Sequence, residues 1–207
     1  MLGMGLALSA LAGLEPLPKL EVRQAAPTRA AAPVATQALA RPVPVQPAPE
    51  VVLASGGMPV VQEMLALDQA LDHGEYAWNA DGVPPGKTWI IVDISTQTPH
   101  AFRGNTEIGR AVVLYGADNK PTPLGRFTIT QKKRHHISNL YGAEMPFMMR
   151  LTNDGIAIHA SDVEQDAATH GCVGVPTDFA ELLFAEAKVG TPVLVVNGGA
   201  FKPRPTA

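Results

Sequence analysis

The sequence predicts a mainly β domain, a β-sandwich or barrel-like core carrying one or two short helices. Three observations predict it: a succession of short strand-like apolar runs, Gly/Pro/Asn turn signals between them, and a single clear helical period near the end. The strand runs are Trp89 to Ile94, Pro99 to Arg103, Glu107 to Tyr115, Arg126 to Gln131, Phe147 to Leu151, Gly155 to His159 and Val193 to Val196. Gly104-Asn105 is placed to close a hairpin between the second and third of these. The helical exception is Asp178 to Lys188, with Phe179, Leu182, Leu183 and Ala187 on one face, Thr177 as N-cap and Gly190 beyond its end. Between Pro59 and His73 the residues Val61, Met64, Leu65, Leu67 and Leu71 recur near helical spacing, so a second, short helix is expected there.

Ahead of this domain the composition changes. Met1 to Leu14 is apolar, with Ala10-Leu11-Ala12 resembling a cleavage pattern, and reads as an export signal or the end of a membrane anchor within 1–15. From Pro16 to Pro49 lie 8 of the chain's 19 prolines, the composition of an extended, semi-rigid tether over 16–50. The tether's charges are Lys19, Arg23, Arg29 and Arg41 against Glu21, whereas Glu50 onward holds 12 basic and 17 acidic residues. The expected organisation is then a helix and lead-in at 51–86, the main folded domain at 87–198 and a tail at 199–207. With a net charge of −3 over 207 residues and no dense basic run beyond Lys132-Lys133-Arg134, nucleic acid is not an expected partner. His135 and His136 extend that run on what reads as a solvated face.

One cysteine, Cys172, cannot form an intramolecular disulfide, so it is either an inert small hydrophobe or a reactive thiol. Its surroundings favour reactivity. The segment from Ile158 to Pro176 carries His159 at a strand end, then an acidic loop, then Thr169-His170-Gly171-Cys172-Val173. A thiol attacks only as thiolate and needs a neighbouring imidazole, for which His159 and His170 are candidates. In an extended chain His170 and Cys172 would share a face, with Gly171 letting a substrate backbone approach. His159, His170 and Cys172 with a water could also describe a catalytic zinc, but neither C-x-x-C nor H-E-x-x-H spacing accompanies them, so no metal is expected.

His159 with Thr169-His170-Gly171-Cys172-Val173 resembles the signature of the YkuD-type L,D-transpeptidase catalytic domain. The resemblance extends from about Gly74 to Val196 through GEYAW, TWIIVDIS, TPLGRFTI, HISNLYGAEMPFMMRL and GIAIHA, in the family's order. It implies Cys172 as nucleophile, His159 as its base and His170 as the motif's second histidine, with Gly171 and Thr169 shaping the loop and its oxyanion donors. It further implies that the loop from Ser138 to Phe147 borders the acyl-donor groove, which makes Tyr141 and Met145 candidates for substrate binding. A backbone carbonyl or Ser161 is expected to orient His159.

The implied reaction is transfer of a peptidoglycan stem peptide through a thioester, from a donor stem to the amine of an acceptor stem. No cofactor is implied, and the setting is periplasmic or wall-facing. Transfer to water would make the same site an L,D-carboxypeptidase. Gly174 stands where relatives commonly carry Arg, removing a guanidinium that would grip a carboxylate or brace the loop. Arg150 is the candidate to supply that charge from elsewhere, and loss of turnover would leave a wall-binding module.

Overall fold

Trp89, Ile90, Ile91 and Val92 are apolar without a break, the pattern of a strand covered on both faces, and all four are buried. In the computed structural model, which describes residues 45–51, 61–117 and 119–198, they form the middle of β4 (Thr88–Asp93). The strands of the larger sheet are β1 (Val45–Val51), β2 (Val61–Leu65), β3 (Tyr76–Trp78), β4, β5 (Thr98–Arg103), β6 (Thr106–Ala111), β7 (Gly125–Thr128) and β12 (Pro192–Val196). Their order is β1-β2-β6-β5-β4-β12-β7, with β3 also pairing β6. A smaller sheet runs β11 (Val173–Val175), β10 (Ala157–Ala160), β9 (Met148–Arg150) and β8 (Gln131–Lys133). One helix, α1 (Thr177–Glu186), completes the described elements.

Both sheets and the helix contribute to one core. Ile90, Val92, Ile108, Val193 and Val195 come from the larger sheet, Met149, Ile158, Val173 and Val175 from the smaller, and Phe179, Ala180 and Leu183 from α1. Each large apolar side chain removed from water in this way contributes about 1.5–3 kcal/mol. The reverse face of β4 packs Trp89 and Ile91 with Phe102 and Val61, the Trp89 and Phe102 rings stacking at 4.1 Å. The fold is thus mainly β with one short helix.

Several elements depart from expectation. The helix expected between Pro59 and His73 is strand β2 over its first part: Val61 and Leu65 are buried while Gln62 and Glu63 are exposed. Positions four apart share a face in a strand as well as in a helix, so the apolar pattern fits both. The edge of β6 decides, through Glu63 paired with Thr106 and the Leu65 N–H donating to Glu107 Oε2 at 2.9 Å.

Residues 45–51, assigned to the tether and its boundary, form strand β1 against β2, with the register shifting between Pro47 and Val51. A strand paired on one side only tolerates prolines. Met1 to Leu14 and most of the tether lie outside the described residues, and among those described no helix is long and apolar enough to cross a membrane.

The run expected as one strand to Tyr115 leaves the larger sheet after Ala111, because its amides change partner: Val112 donates to Glu75, Val113 to Gln97 and Leu114 to Gly174. That excursion carries the chain to the smaller sheet. Thr177 is the first residue of α1 and not its cap; Pro176 precedes it with no side-chain capping bond. The opposite end of α1 is served from the smaller sheet, where Lys132 Nζ donates to the carbonyls of Phe184 and Ala187.

Candidate active site

The parallel pairing of β10 with β11 sets His159 directly beside Gly174, two residues beyond Cys172. Val173 is held in the ladder and fully buried, so Cys172 is the last residue before a fixed frame. The chain reaches it through a bend, not the extended segment expected: Gly171 has φ of +99°, a left-handed conformation open to glycine. A Cβ on Gly171 would also lie 2.7 Å from Ile156 Cδ1. Thr169 Oγ1 donates to the Cys172 carbonyl at 2.5 Å, closing the bend. That hydroxyl braces the loop.

Cys172 is half-buried against Met145, Met148 and Ala157. Its Sγ lies 3.9 Å from the Gly155 carbonyl. Burial pushes its thiol above the ordinary value; the Ala157 N–H opposes this, the Asp154 charge adds to it, and Lys120 opposes it. His159 Nδ1 lies 2.7 Å from the Ala160 carbonyl. A carbonyl only accepts, so Nδ1 carries the proton and Nε2 keeps its lone pair. Burial lowers the imidazole below its ordinary range, partly offset by that same bond. Both shifts favour a neutral thiol and a neutral imidazole in the resting site.

A cavity of about 440 Å³ gathers Cys172, His159, His170, Thr169, Tyr141, Met145 and Arg150 on its wall. Gly171 is buried behind it. His170 is exposed and stacks on Tyr141 with ring centroids 4.5 Å apart, and Lys120 Nζ donates to the Tyr141 hydroxyl at 2.8 Å. Met145 is buried and forms the apolar side of the sulfur's surroundings. Arg150, half-buried, shares a sheet face with His159: in the pleat Met148 and Arg150 alternate with Met149, which faces the core.

Gly174 has a steric cause. A Cβ there would stand 2.9 Å from Ser161 Cβ, 3.2 Å from Ser161 Oγ and 3.4 Å from Leu114 Cβ, so its space is already occupied. Ser161, Lys120 and Asp154 also line the cavity. Of these, Lys120 and Asp154 carried no sequence signal for the site, since each comes from a loop with no motif of its own. Among the described residues no group of three or more His, Cys, Asp or Glu side chains converges as a metal-ligand set.

The profile of one family, described as the L,D-transpeptidase catalytic domain, matches residues 87–195. Among solved structures, the chain is similar to an LD transpeptidase, LdtMt1, in complex with imipenem, at 22% identity and a TM-score of 0.50 over 53% of this chain and 58% of that one. An L,D-transpeptidase from Stackebrandtia nassauensis is similar at 22% identity and a TM-score of 0.50 over 61% of this chain and 62% of its own. The chain therefore spans about three fifths of these relatives, and at that identity the likeness establishes the fold. No curated protein matches the sequence.

Proposed function

The chain belongs to the L,D-transpeptidase catalytic domain family, and from that premise we propose that it transfers peptidoglycan stem peptides through a thioester on Cys172. The observation that carries this reading is the pairing within one cavity of a half-buried lone thiol with an imidazole whose Nδ1 proton is committed to the Ala160 carbonyl. That bond leaves Nε2 as the acceptor for the thiol proton.

In the proposed cycle, a donor carbonyl enters the cavity and His159 Nε2 takes the proton of Cys172 as sulfur forms its bond to the carbonyl carbon. Negative charge gathers on the carbonyl oxygen, and the backbone N–H groups of Gly171 and Cys172 are the donors offered to it. The tetrahedral intermediate collapses with cleavage of the peptide bond, and the His159 imidazolium returns its proton to the departing amine. An acceptor amine then attacks the thioester, gives its proton to His159, and releases Cys172 as the thiol. The neutral resting pair suits this sequence, because the unprotonated imidazole is ready to accept and the thiol proton moves only as the sulfur–carbon bond forms. The apolar start and Pro-rich tether support an exported, wall-facing setting.

The test is mass analysis of the full chain incubated with a tetrapeptide donor stem and an amine acceptor, alongside imipenem, the ligand of the related LdtMt1 structure. The expected results are a cross-linked or exchanged product and a stoichiometric imipenem adduct, both lost in Cys172→Ala. Absence of product together with an unreactive Cys172 would refute the reading.

A further inference from the structure

We propose that Arg150 binds a carboxylate of the acyl-donor peptide inside the Cys172 cavity and so selects acidic donors. This rests on the donor chemistry given above and adds to it a residue and a preference. Three other arginines of the domain are already engaged by carboxylates: Arg103 by Glu186, Arg110 by Glu107 and Arg134 by Glu181. Arg150 has no carboxylate within salt-bridge distance among the described residues, yet it is half-buried on the cavity wall. A guanidinium withdrawn from water without a counter-charge is costly and gains most from an anion delivered to it.

Its position favours that role. Arg150 lies in the middle of the smaller sheet, between Gln131 on β8 and Ala157 on β10. The Ala157 methyl across the ladder leaves the guanidinium room on the face that carries His159. The backbone beneath is held from both sides, so the fork is presented from a rigid element and not from a loop. The cavity's other charged groups do not supply the same function. Lys120 is hydrogen-bonded to Tyr141 at the mouth, and Asp154 and Glu144 are exposed acids on the rim. Position 174 cannot supply it either, since Ser161 and Leu114 fill the space a side chain would need. Arg150 is thus the guanidinium on the wall of the cavity that holds the reacting sulfur, and its planar fork matches a carboxylate bidentately.

The experiment compares three tetrapeptide donors in the transfer assay with the full chain: the free acid, its C-terminal carboxamide, and the carboxamide of the diamino-acid side chain. The wild type should lose about 10- to 100-fold in kcat/KM when the recognised carboxylate is amidated, the range for a charge-assisted hydrogen bond, and the sensitive donor identifies which carboxylate is held. Arg150→Gln should lose the same factor on the acid donor, through KM more than kcat, and treat acid and amide alike; Arg150→Lys should recover part of the difference. Alkylation of Cys172 by the uncharged reagent iodoacetamide reports whether each variant keeps its site, and if Arg150→Gln fails that control the acid-to-amide ratio is read in Arg150→Lys, where it should shrink. An acid preference unchanged in the variants, or a loss that falls equally on acid and amide donors, overturns the assignment to Arg150 while leaving the transferase reading intact. Failure of the wild type on every donor overturns both.

Discussion

Introducing a methyl at Gly174 tests whether the site is held by steric fit between β10, β11 and the crossing segment at Leu114. In Gly174→Ala the new Cβ meets Ser161 Cβ at 2.9 Å, where carbon atoms prefer about 3.5–4.0 Å. Ser161 or β11 must therefore yield by more than about half an ångström. Overpacking of this kind costs about 1–3 kcal/mol, and in a domain of this size each kcal/mol lowers the midpoint of thermal unfolding by about 2–4 °C. The larger effect should be on chemistry. Ser161 follows the Ala160 carbonyl that orients His159, and Gly174 lies two residues from Cys172, so the strain separates nucleophile and base. A misplacement approaching 1 Å costs roughly 100-fold in rate, and a 10- to 100-fold fall in the imipenem acylation rate is expected. Ser161→Gly deletes both close atoms and leaves only the Leu114 contact at 3.4 Å, so the double variant should recover most of the rate and stability, a strong departure from additivity. Calorimetry and stopped-flow acylation on the four proteins of the cycle decide it. A Gly174→Ala protein with wild-type midpoint and rate, or a double variant worse than either single one, would refute the reasoning.

The remaining predictions concern protons and hydrogen bonds. Burial raises the Cys172 thiol and lowers His159, so iodoacetamide alkylation should have its midpoint above the free-thiol value near ~8.5, while the acid limb of kcat/KM falls below ~6.5; an alkylation midpoint near 6 would reveal a resting ion pair and contradict this. Burial alone would raise Glu107, but hydrogen bonds from His100 and Arg110, aided by their charges, hold it below the usual carboxylate range. A lowered folded-state value means stability that is present above the unfolded carboxylate value near ~4.3 and is lost as pH falls through the folded one; Glu107→Gln should cost about 3–5 kcal/mol at neutral pH and flatten the acid arm of the stability curve, and an unchanged arm on urea titration would contradict it. Thr169→Val, which removes the bond to the Cys172 carbonyl, should lose about 1 kcal/mol and slow acylation, with Thr169→Ser close to wild type; equal acylation by all three proteins would show that the bond does not shape the loop.

The elements legible in the sequence are those whose pattern has one solution. The run expected as strand from Trp89 to Ile94 is β4 over Thr88–Asp93, and the Gly104-Asn105 turn does join Arg103 to its partner Thr106. Of the expected helical face Phe179, Leu183 and Ala187 do lie in the core, joined by Ala180, whereas Leu182 is only half-buried. Val61 and Leu65 were ambiguous because a four-residue interval suits both geometries, and the partner that decides, β6, lies about forty residues on in the chain. The hub at Glu107, which accepts from the Leu65 N–H, His100 and Arg110, could not be read because Glu107, His100 and Arg110 look like ordinary polar positions on two strands and the third donor is a main-chain amide. At the site, the motif residues lie close in sequence and could be named together. The Ala160 carbonyl and the crowding at Gly174 could not, since a main-chain acceptor carries no residue signature and the atoms filling that space come from Ser161 and Leu114.

The parallel ladder between β10 and β11 has a bearing on how the molecule is born. The hairpin of β5 and β6 joins neighbours in the chain and can close in microseconds, but β10 can meet β11 only after residues 161–172 have looped back, and β4 can meet β12 only when nearly the whole domain is at hand. Contacts between distant segments incur their closure entropy before they return any packing. The side-by-side arrangement of His159 and Gly174 therefore requires a loop closure that the β5–β6 hairpin does not. Until it forms, Cys172 has no His159 held beside it, so a growing or unfinished molecule carries an ordinary thiol and its acyl-transfer chemistry arrives with the completed fold.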